Sequence, residues 1–541
     1  MSKHSIRMHV DILVCIFFAF TAFYYNYRGN LSPDCFLFVI QLCTFWFILR
    51  ILVHFFPILK TGMPYLILLA GLVEAIWGLG QLYGYFPSKH ALFKTTGSFL
   101  NPGPYGGFIA LIFPLALHYG LYNKQKNKFL SGFSLLTGIV CFMVFPATLS
   151  RTAWIAAITG CLFVLLFDTH LSSHLRIFRQ RRKRWFILGI AILCITIAGS
   201  LYGTYLLKKD SADGRFFMWK ITTLAIKESP LKGKGLGSFP AAYANAQMDY
   251  FKSGKGTETE KRVAGSPEYA FNEYLQIFLE EGLLGILLFL LLSVVIVKEG
   301  IKNNQIGAAG SFVALSVFAL ASYPYQLWEF PVVWLILGII CTTNGNTHTK
   351  KKKWGPLLFL FMVVLGSISF FCGKQQKEYY QAKKEWKKLQ VLNSMKAYES
   401  VVDDYTKLYP KLHYEPKFVF EYAQSLNDAG QLQKADSILS RGLKISCDPM
   451  FYNVKGRNYH EMGKYREAEE CYRNSIYVLP ERIYPYYLLT KLYADPANYQ
   501  PLKMRKAAVA VLEKEPKVHS PAIEEMRAEV KTILKEKGGI L

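Results

Sequence analysis

Long apolar runs fill the first two thirds of this chain and limit what it can fold into. A helix needs about 20 apolar residues to cross the hydrocarbon core of a bilayer, and by that measure we count about eleven predicted spans. They lie near residues 10–25, 34–55, 63–85, 105–122, 129–148, 152–168, 185–206, 278–298, 306–324, 329–343 and 354–373. The first run lacks a small-residue cleavage site, so we expect a retained span and no signal peptide. The predicted fold class is all-α and polytopic.

The composition changes near residue 373. Of the 541 residues in the whole chain, 52% are hydrophobic, an excess that is typical of a membrane protein. The last part of the chain is instead rich in Lys, Glu and Tyr. We therefore predict a transmembrane domain at 1–373 and a water-exposed domain at 374–541.

Basic residues concentrate in every second connector between the predicted spans. With the N-terminus inside, these connectors are all cytoplasmic, as the positive-inside rule requires. They contain Lys60 and the Lys and Arg residues within 124–128, 176–184, 298–302 and 350–353. This placement accounts for the net charge of +25 without nucleic acid, which we do not expect as a partner. It also puts the C-terminal domain on the outer side, in the periplasm of a cell with two membranes.

The polar loop at about 207–277 is the longest connector and is predicted to lie outside. Loops of this length are usually functional, and we interpret this one as the lid of a membrane enzyme. No histidine occurs between His174 and His348, so the loop has no imidazole base. The sequence shows no metal-ligand cluster, no P-loop and no nucleophile elbow, so we expect no metal and no cofactor.

Charged residues near membrane depth are costly, and each is therefore a candidate functional residue. Arg151 lies at the outer junction of two spans, where it either anchors a helix end or holds an anion in a cavity. Arg215 opens the outer loop, and two arginines on one face would suit a pyrophosphate, whose oxygens match the guanidinium fork. Glu74 lies inside the third span, where it either bonds a neighbouring helix or lines the cavity. Lys94 and His90 precede a predicted turn.

Small residues recur at an interval of 33 in the C-terminal domain. The pairs are Gly430 and Gly463, Ala435 and Ala468, and Ala423 and Gly456. This period is close to that of tetratricopeptide repeats, and the alternative is a generic helical bundle. Such helical-repeat arrays present a concave surface that commonly holds peptides or partner proteins.

Four short motifs, in this order, resemble the O-antigen ligase and O-antigen polymerase superfamily, which includes bacterial protein O-oligosaccharyltransferases. They are Gly97-Ser-Phe-Leu-Asn101-Pro102 with Gly107-Phe-Ile-Ala; Leu149-Ser-Arg151-Thr-Ala-Trp; Arg215 and Trp219 with Pro230-Leu-Lys-Gly-Lys-Gly-Leu-Gly237; and Asn272-Glu-Tyr274-Leu-Gln with Glu280-Glu-Gly282-Leu-Leu-Gly285. Each motif alone is weak, but their order around one long outer loop is fairly specific. The repeat-like tail is also similar to an arrangement seen in this superfamily.

The resemblance implies a GT-C-like fold and one reaction in the bacterial inner membrane. A glycan carried on undecaprenyl pyrophosphate is transferred to an acceptor hydroxyl at the periplasmic face, without nucleotide or metal. By resemblance, Arg151 and Arg215 bind the pyrophosphate and stabilise its developing charge. Grooves between helices hold the polyprenyl tail against the membrane lipids. The candidate substrate-binding residues are Lys94, Asn101, Trp219, Asn272, Tyr274 and Glu74.

Phe271 stands where ligases of this superfamily have a histidine that is proposed to activate the acceptor. Phe cannot accept a proton, so the chain either uses another base or needs none. Glu273 and Glu268 are the nearest candidates and His90 is a more distant one; we take Glu273 as the catalytic candidate. A general base is typically worth roughly 10²–10⁴-fold in rate, so leaving-group stabilisation can compensate for its absence.

The acceptor is expected to be a Ser or Thr hydroxyl of a protein, because a peptide-binding tail is of less use with a lipid or sugar acceptor. Lipid A–core, as in an O-antigen ligase, and the lipid-linked glycan itself, as in a polymerase, are the alternatives. A transporter or an envelope scaffold is the alternative outside the enzymes. We predict that Arg151 and Arg215 border one outward-facing pocket.

Overall fold

The chain is helical throughout the part that can be described. The computed structural model describes residues 3–28, 33–122, 127–168, 209–343, 356–395, 398–517 and 519–537, with a few residues between 180 and 199. Within these ranges no β-strand occurs. The predicted all-α class is confirmed, whereas the predicted span at 185–206 lies almost entirely outside the described residues.

The N-terminal half of the membrane part forms apolar helices, because a chain in lipid must satisfy its backbone hydrogen bonds internally. These helices are α1 (Lys3–Arg28), α2 (Pro33–Phe55), α3 (Pro57–Leu82), α4 (Pro102–Tyr122), α5 (Lys128–Val144) and α6 (Arg151–Phe167). A short 3₁₀ helix, Phe145–Thr148, joins α5 to α6. The core of the bundle includes the fully buried Trp46, Tyr105 and Phe312.

The long polar loop that is predicted to lie outside, called the outer loop below, is folded and mostly helical. It contains α7 (Lys209–Lys227), α8 (Phe239–Lys252) and α9 (Glu258–Val263). A hydrophobic core, in which Phe217, Phe239 and Tyr243 are buried, lies between these helices and includes Val478 and Leu479 from the C-terminal part of the chain. The loop can therefore hold a side chain at its membrane-facing end in a fixed place.

The C-terminal half of the membrane part begins earlier than expected. Its helices are α10 (Glu273–Lys302), α11 (Ile306–Phe318), α12 (Glu329–Thr342) and α13 (Pro356–Ser394). The span predicted from residue 278 starts at Glu273 because the Asn272 side chain caps the helix, accepting from the Leu275 backbone N–H at 3.1 Å. The span predicted to reach residue 324 ends at Phe318, and a 3₁₀ turn, Pro324–Gln326, leads into α12.

The predicted polytopic membrane architecture is confirmed. Five of the described helices are long and apolar enough to cross a membrane: Phe36–Phe55, Pro57–Leu82, Pro102–Leu121, Lys128–Thr148 and Glu273–Lys302. Shorter apolar helices accompany them: His9–Ala22, Arg151–Phe167, Ile306–Phe318 and Glu329–Thr342. Together they account for all but two of the predicted spans. The two exceptions are the 185–206 segment and the predicted span at 354–373. The latter coincides with the first part of the long helix α13.

The glycine-rich segment of the outer loop docks into a kink of α10. The kink lies at Gly282, whose φ of 72° and ψ of −169° interrupt the helix. Backbone N–H groups of Lys234 and Gly235 donate to the carbonyls of Leu279 and Glu280 at 2.8 and 2.9 Å. A Cβ on Gly282 would lie 2.4 Å from the Leu231 carbonyl oxygen, so only glycine allows the two backbones to approach this closely.

The C-terminal domain is a series of paired helices. They are α14 (Tyr398–Leu412), α15 (Pro416–Asp428), α16 (Leu432–Gly442), α17 (Met450–Glu461), α18 (Tyr465–Val478), α19 (Tyr484–Ala494), α20 (Pro501–Glu513) and α21 (Pro521–Glu536). The 33-residue interval relates α15–α16 to α17–α18, with Ala435 and Ala468 fully buried at equivalent places. Their identity as tetratricopeptide repeats stays a prediction. So does the boundary at 373, which falls within the continuous helix α13.

The C-terminal domain packs directly on the outer loop. The Gln247 side-chain amide of α8 donates to the Val478 carbonyl at 2.6 Å, in a buried contact. The Cys447 thiol donates to the Pro267 carbonyl at 3.2 Å, and the Lys517 ammonium donates to the Ala264 carbonyl at 3.0 Å. Because the two regions share a core, they must lie on the same side of the membrane.

Candidate active site

Arg151 is the first residue of α6, at the end of the bundle that faces the outer loop. The preceding 3₁₀ helix ends at Leu149, whose φ of 48° is in the left-handed region. This sharp turn points the start of α6 toward the loop. The N-terminus of a helix carries a partial positive charge, which adds to that of the half-buried Arg151 side chain. No acid of the described chain forms an ion pair with Arg151.

Arg215 of α7 reaches the same place from the loop. Its Nη1 donates to the Ala321 carbonyl at 2.8 Å and lies 3.5 Å from Oγ1 of Thr152, the residue that follows Arg151. Burial and the neighbouring charge of Arg151 lower the pKa of Arg215, and Tyr323 opposes this shift. An arginine nevertheless stays cationic at neutral pH. The structure thus brings the two predicted arginines together as neighbouring positive charges.

Aromatic rings form one wall beside Arg215. Its guanidinium carbon lies 5.4 Å from the centre of the Phe271 ring. Tyr323 meets Phe271 edge-on at 4.9 Å and stacks on Tyr269 at 5.2 Å. Burial raises the pKa of the Tyr323 phenol although the Arg215 charge lowers it, so the phenol is neutral at neutral pH.

Several predicted substrate-binding residues serve to hold this wall. The Trp219 indole N–H donates to the Ala270 carbonyl at 3.1 Å, and Asn272 caps α10 as described above. The Tyr274 hydroxyl donates to the Ser316 carbonyl at 2.9 Å. These contacts favour positioning roles for the three side chains. Their predicted contact with substrate stays a prediction.

Glu273, the predicted catalytic carboxylate, is buried with 1% of its surface exposed. One oxygen accepts from the Tyr325 backbone N–H at 2.7 Å, and the other accepts from the Gln326 side-chain amide at 3.3 Å. The carboxylate therefore ties the start of α10 to the 3₁₀ turn before α12. This arrangement favours a structural role over proton abstraction. The other candidate, Glu268, is exposed on the loop.

The remaining predicted residues surround the connector between α3 and α4. Glu74 accepts from the Ser98 backbone N–H at 2.9 Å, and Asn101 accepts from the Gly103 backbone N–H at 2.9 Å. His90 accepts from the Leu92 backbone N–H at 3.0 Å, so its Nδ1 is also engaged. Lys94 is exposed. The start of α4 packs against the turn before Arg151, since a Cβ on Gly106 would lie 3.2 Å from Cβ of Ser150.

Sequence reasoning missed the turn between α11 and α12. Ala321 and Tyr323 both contact the arginine pair or its aromatic wall. The signal was the Tyr323-Pro-Tyr325 sequence, whose rings flank a proline between two short apolar runs. The apolar pattern instead predicts a span to residue 324, followed by a short connector. Thr152 follows Arg151 in the chain and lies beside Arg215, but its residue type does not mark it as part of a site.

Comparison with known proteins identifies the region that contains this site. Residues 136–290 match the O-antigen ligase family. A Rickettsia typhi protein and a Rickettsia prowazekii protein, each named "Putative polysaccharide ligase", are 27% identical over 259 residues, which cover 43% of this chain and 60% of each relative. A Rickettsia conorii protein of the same name is 27% identical over 140 residues, 25% of this chain and 31% of its own.

The matched region thus covers less than two thirds of each relative, and no solved structure matches the chain significantly. The matched segment contains both arginines, the folded outer loop and the kink of α10. The resemblance inferred from the four motifs is therefore confirmed. Over residues 136–290, the membrane part of this chain is thus similar to the O-antigen ligase family and to proteins named polysaccharide ligases.

Proposed function

We propose that this chain transfers a glycan from undecaprenyl pyrophosphate to a Ser or Thr hydroxyl of a protein, at the periplasmic face of the inner membrane. One observation carries the proposal: Arg151 and Arg215 lie together with no ion-pairing carboxylate in the described residues. Two confined cations repel each other, and a bound pyrophosphate would remove that repulsion. The family match and the names of the relatives support glycan transfer in the broader sense.

In the described part of the chain, only one nitrogen of the Arg215 guanidinium donates a hydrogen bond to the protein. Its Nη1 donates to Ala321 and approaches Thr152, whereas its Nε and Nη2 have no protein acceptor in the part of the chain that is described. The free N–H groups match the bidentate geometry of phosphate oxygens. We place the pyrophosphate between these groups and Arg151, at the N-terminus of α6.

The reaction forms a bond between the acceptor oxygen and the anomeric carbon of the glycan, while the bond from that carbon to the phosphate oxygen breaks. Negative charge grows on the departing pyrophosphate, where the two guanidinium groups stabilise it. Removing one such preorganised donor typically costs about 10²–10³-fold in rate. Since the arginines supply the positive charge, the proposal requires no metal ion or cofactor.

The proposal also requires no side chain as general base. Phe271 cannot accept a proton, and both oxygens of the buried Glu273 accept hydrogen bonds from the protein. The acceptor proton then passes to the departing pyrophosphate or to water. Leaving-group stabilisation is the main source of catalysis in this account.

The C-terminal domain supports a protein acceptor. It packs on the outer loop through Gln247 and Val478, and the loop itself carries Arg215. A peptide held by the paired helices would therefore remain close to the arginine pair. Lipid A–core and the lipid-linked glycan are the other acceptors that the experiment must separate.

The test compares a deletion strain that carries wild type, Arg215→Ala or Arg262→Ala. Arg262 is the matched control because it lies in the same loop, with its side chain 72% exposed and 3.6 Å from Asp210. Periplasmic glycoproteins and surface polysaccharide are blotted in parallel. We expect glycoproteins to be lost with Arg215→Ala only. Loss of surface polysaccharide alone would indicate ligase or polymerase activity, and no change in either would refute glycan transfer.

A further inference from the structure

Phe271 has an unusual backbone conformation. Its φ is 49°, in the left-handed region that residues with a bulky side chain rarely adopt. Among the described residues, only Leu149, Phe271 and Asn304 share a positive φ without being glycine. Two of these three stand next to the arginine pair. Strained residues persist where the surrounding structure fixes them, and they cluster at functional sites.

Contacts on both sides force Phe271 into this conformation. The preceding residue, Ala270, is held at its carbonyl by Trp219 and at its N–H by the Gln276 side chain, each at 3.1 Å. The following residue, Asn272, caps α10. The backbone therefore has no freedom to relax, and the Phe271 side chain projects where this frame directs it.

The ring so placed covers Arg215. The guanidinium lies over the ring at 5.4 Å, and Tyr323 supports the ring edge-on at 4.9 Å. The Ala321 carbonyl fixes the guanidinium by one N–H, at 2.8 Å. This contact and the one with Thr152 both involve Nη1, so the rest of the guanidinium can still tilt. The Phe271 ring restricts this tilt, because the electrostatic attraction between the cation and the ring face keeps the guanidinium over the ring.

We propose that Phe271 is a positioning residue that holds the Arg215 guanidinium with its free N–H groups toward the pyrophosphate. The proposal rests on the proposed function. It gives the position a role other than that of a base.

Six variants, four described here and Arg215→Ala and Phe271→His below, test this role in full-length protein in nanodiscs, with a lipid-linked glycan and an acceptor peptide. Phe271→Tyr retains the ring, and its kcat should stay within about twofold of wild type. Phe271→Leu removes the attraction to the guanidinium, so kcat should fall about tenfold. Phe271→Gly should lose as much activity without losing thermal stability, because glycine relieves the backbone strain. Phe216→Leu is the matched control, since Phe216 adjoins Arg215 and is 62% exposed.

The outcomes separate this inference from the proposed function. Full activity of Arg215→Ala would refute the proposed function itself. An inactive Arg215→Ala together with a fully active Phe271→Leu would refute only the positioning role. Equal losses in Phe271→Tyr and Phe271→Leu would also refute it, because the ring would then be irrelevant. A gain in kcat for Phe271→His would show that a missing base limits the site, which contradicts the inference.

Discussion

Two half-buried arginines lie at opposite ends of the helix bundle: Arg50 at the end predicted to be cytoplasmic, the inner end, and Arg215 beside the outer loop. At the inner end, the guanidinium of Arg50 lies 5.1 Å from the Trp46 ring and donates to Thr343 Oγ1 at 3.1 Å. At the outer end, Arg215 likewise has an aromatic ring and a threonine hydroxyl as neighbours, and it also donates to a carbonyl. The inner arginine also forms an ion pair with Asp11 at 2.9 Å. The outer arginine has another arginine beside it instead.

The difference shows which arginine stabilises the fold and which is available to a ligand. A paired charge at the inner end contributes to stability, and breaking the pair would remove the Asp11 carboxylate from the side of Arg50. The outer pair has repulsion that no carboxylate relieves in the described part of the chain. The two arginines have similar aromatic and hydroxyl neighbours. The carboxylate beside Arg50, which Arg215 lacks, is therefore what separates a stabilising arginine from one that is available to a ligand.

The largest effect should come from giving the outer pair the carboxylate that it lacks. Thr152→Asp would place an acid close to Arg215, whose Nη1 is 3.5 Å from the Thr152 hydroxyl. The carboxylate would compete with pyrophosphate, so we expect transfer to fall at least about 100-fold without loss of stability. Transfer assays and thermal unfolding of the purified protein measure the two effects. Thr152→Ser is the control, and unchanged transfer in Thr152→Asp would contradict the account.

The outer arginine depends on the loop that carries it, and the inner arginine does not. Gly282→Ala should destabilise the protein by about 3 kcal/mol, because it combines a left-handed backbone with a clash against another backbone. Gly254→Ala is a matched control, since its φ is 73° but nothing lies within 4 Å of an added Cβ. That change should cost about 1 kcal/mol. Similar melting temperatures for the two variants would show that the loop is not docked at the kink.

Breaking the inner ion pair should affect stability alone. Asp11→Ala leaves Arg50 without its carboxylate, and we expect a loss of about 2 kcal/mol in the free energy of unfolding. The kcat of the folded protein should stay unchanged, because this end of the bundle is far from the outer loop. Thermal unfolding and kinetics on the same preparation test both statements. A large drop in kcat with normal stability would mean that the inner arginine also serves catalysis.

The smallest effect concerns the contact between the outer loop and the C-terminal domain. Gln247→Ala removes a buried donor from the Val478 carbonyl and leaves that carbonyl unsatisfied, at a cost of about 1–2 kcal/mol. If the C-terminal domain presents the acceptor, KM for an acceptor peptide should rise while KM for the lipid-linked donor stays constant. Gln305→Ala, at a partly buried contact with Tyr119 in the bundle, is the control. Equal changes in both KM values would argue against acceptor presentation.

Much of the fold could be predicted from the sequence, because bilayer thickness sets how many apolar residues a membrane-spanning helix needs. The start of α10 was harder to predict, since the Asn272 cap extends the helix beyond its apolar stretch. The glycine-rich segment was visible as a motif, but its purpose was not. The structure shows that this segment packs against Gly282. The contact is between two backbones, so no side-chain pattern in the sequence indicates it.

The candidate site was partly predictable for a similar reason. Arg151 and Arg215 stand out because charge near a membrane is costly, and the structure brings them together. Their neighbours Ala321 and Tyr323 lie more than 100 residues further along the chain from Arg215, with no charge to mark them. The carboxylate of Glu273 suggests a catalytic base, but both of its oxygens accept hydrogen bonds, from Tyr325 and Gln326.

Direct binding of undecaprenyl pyrophosphate to the full-length protein would test the central claim most directly. Native mass spectrometry can measure it for wild type, Arg151→Ala, Arg215→Ala and the control Arg262→Ala. The account predicts at least about tenfold weaker binding for each single variant of the pair, since each loses a charge-assisted contact to phosphate. The control should bind as wild type does. Equal binding by all four proteins would contradict the claim that the outer arginine pair is a pyrophosphate site.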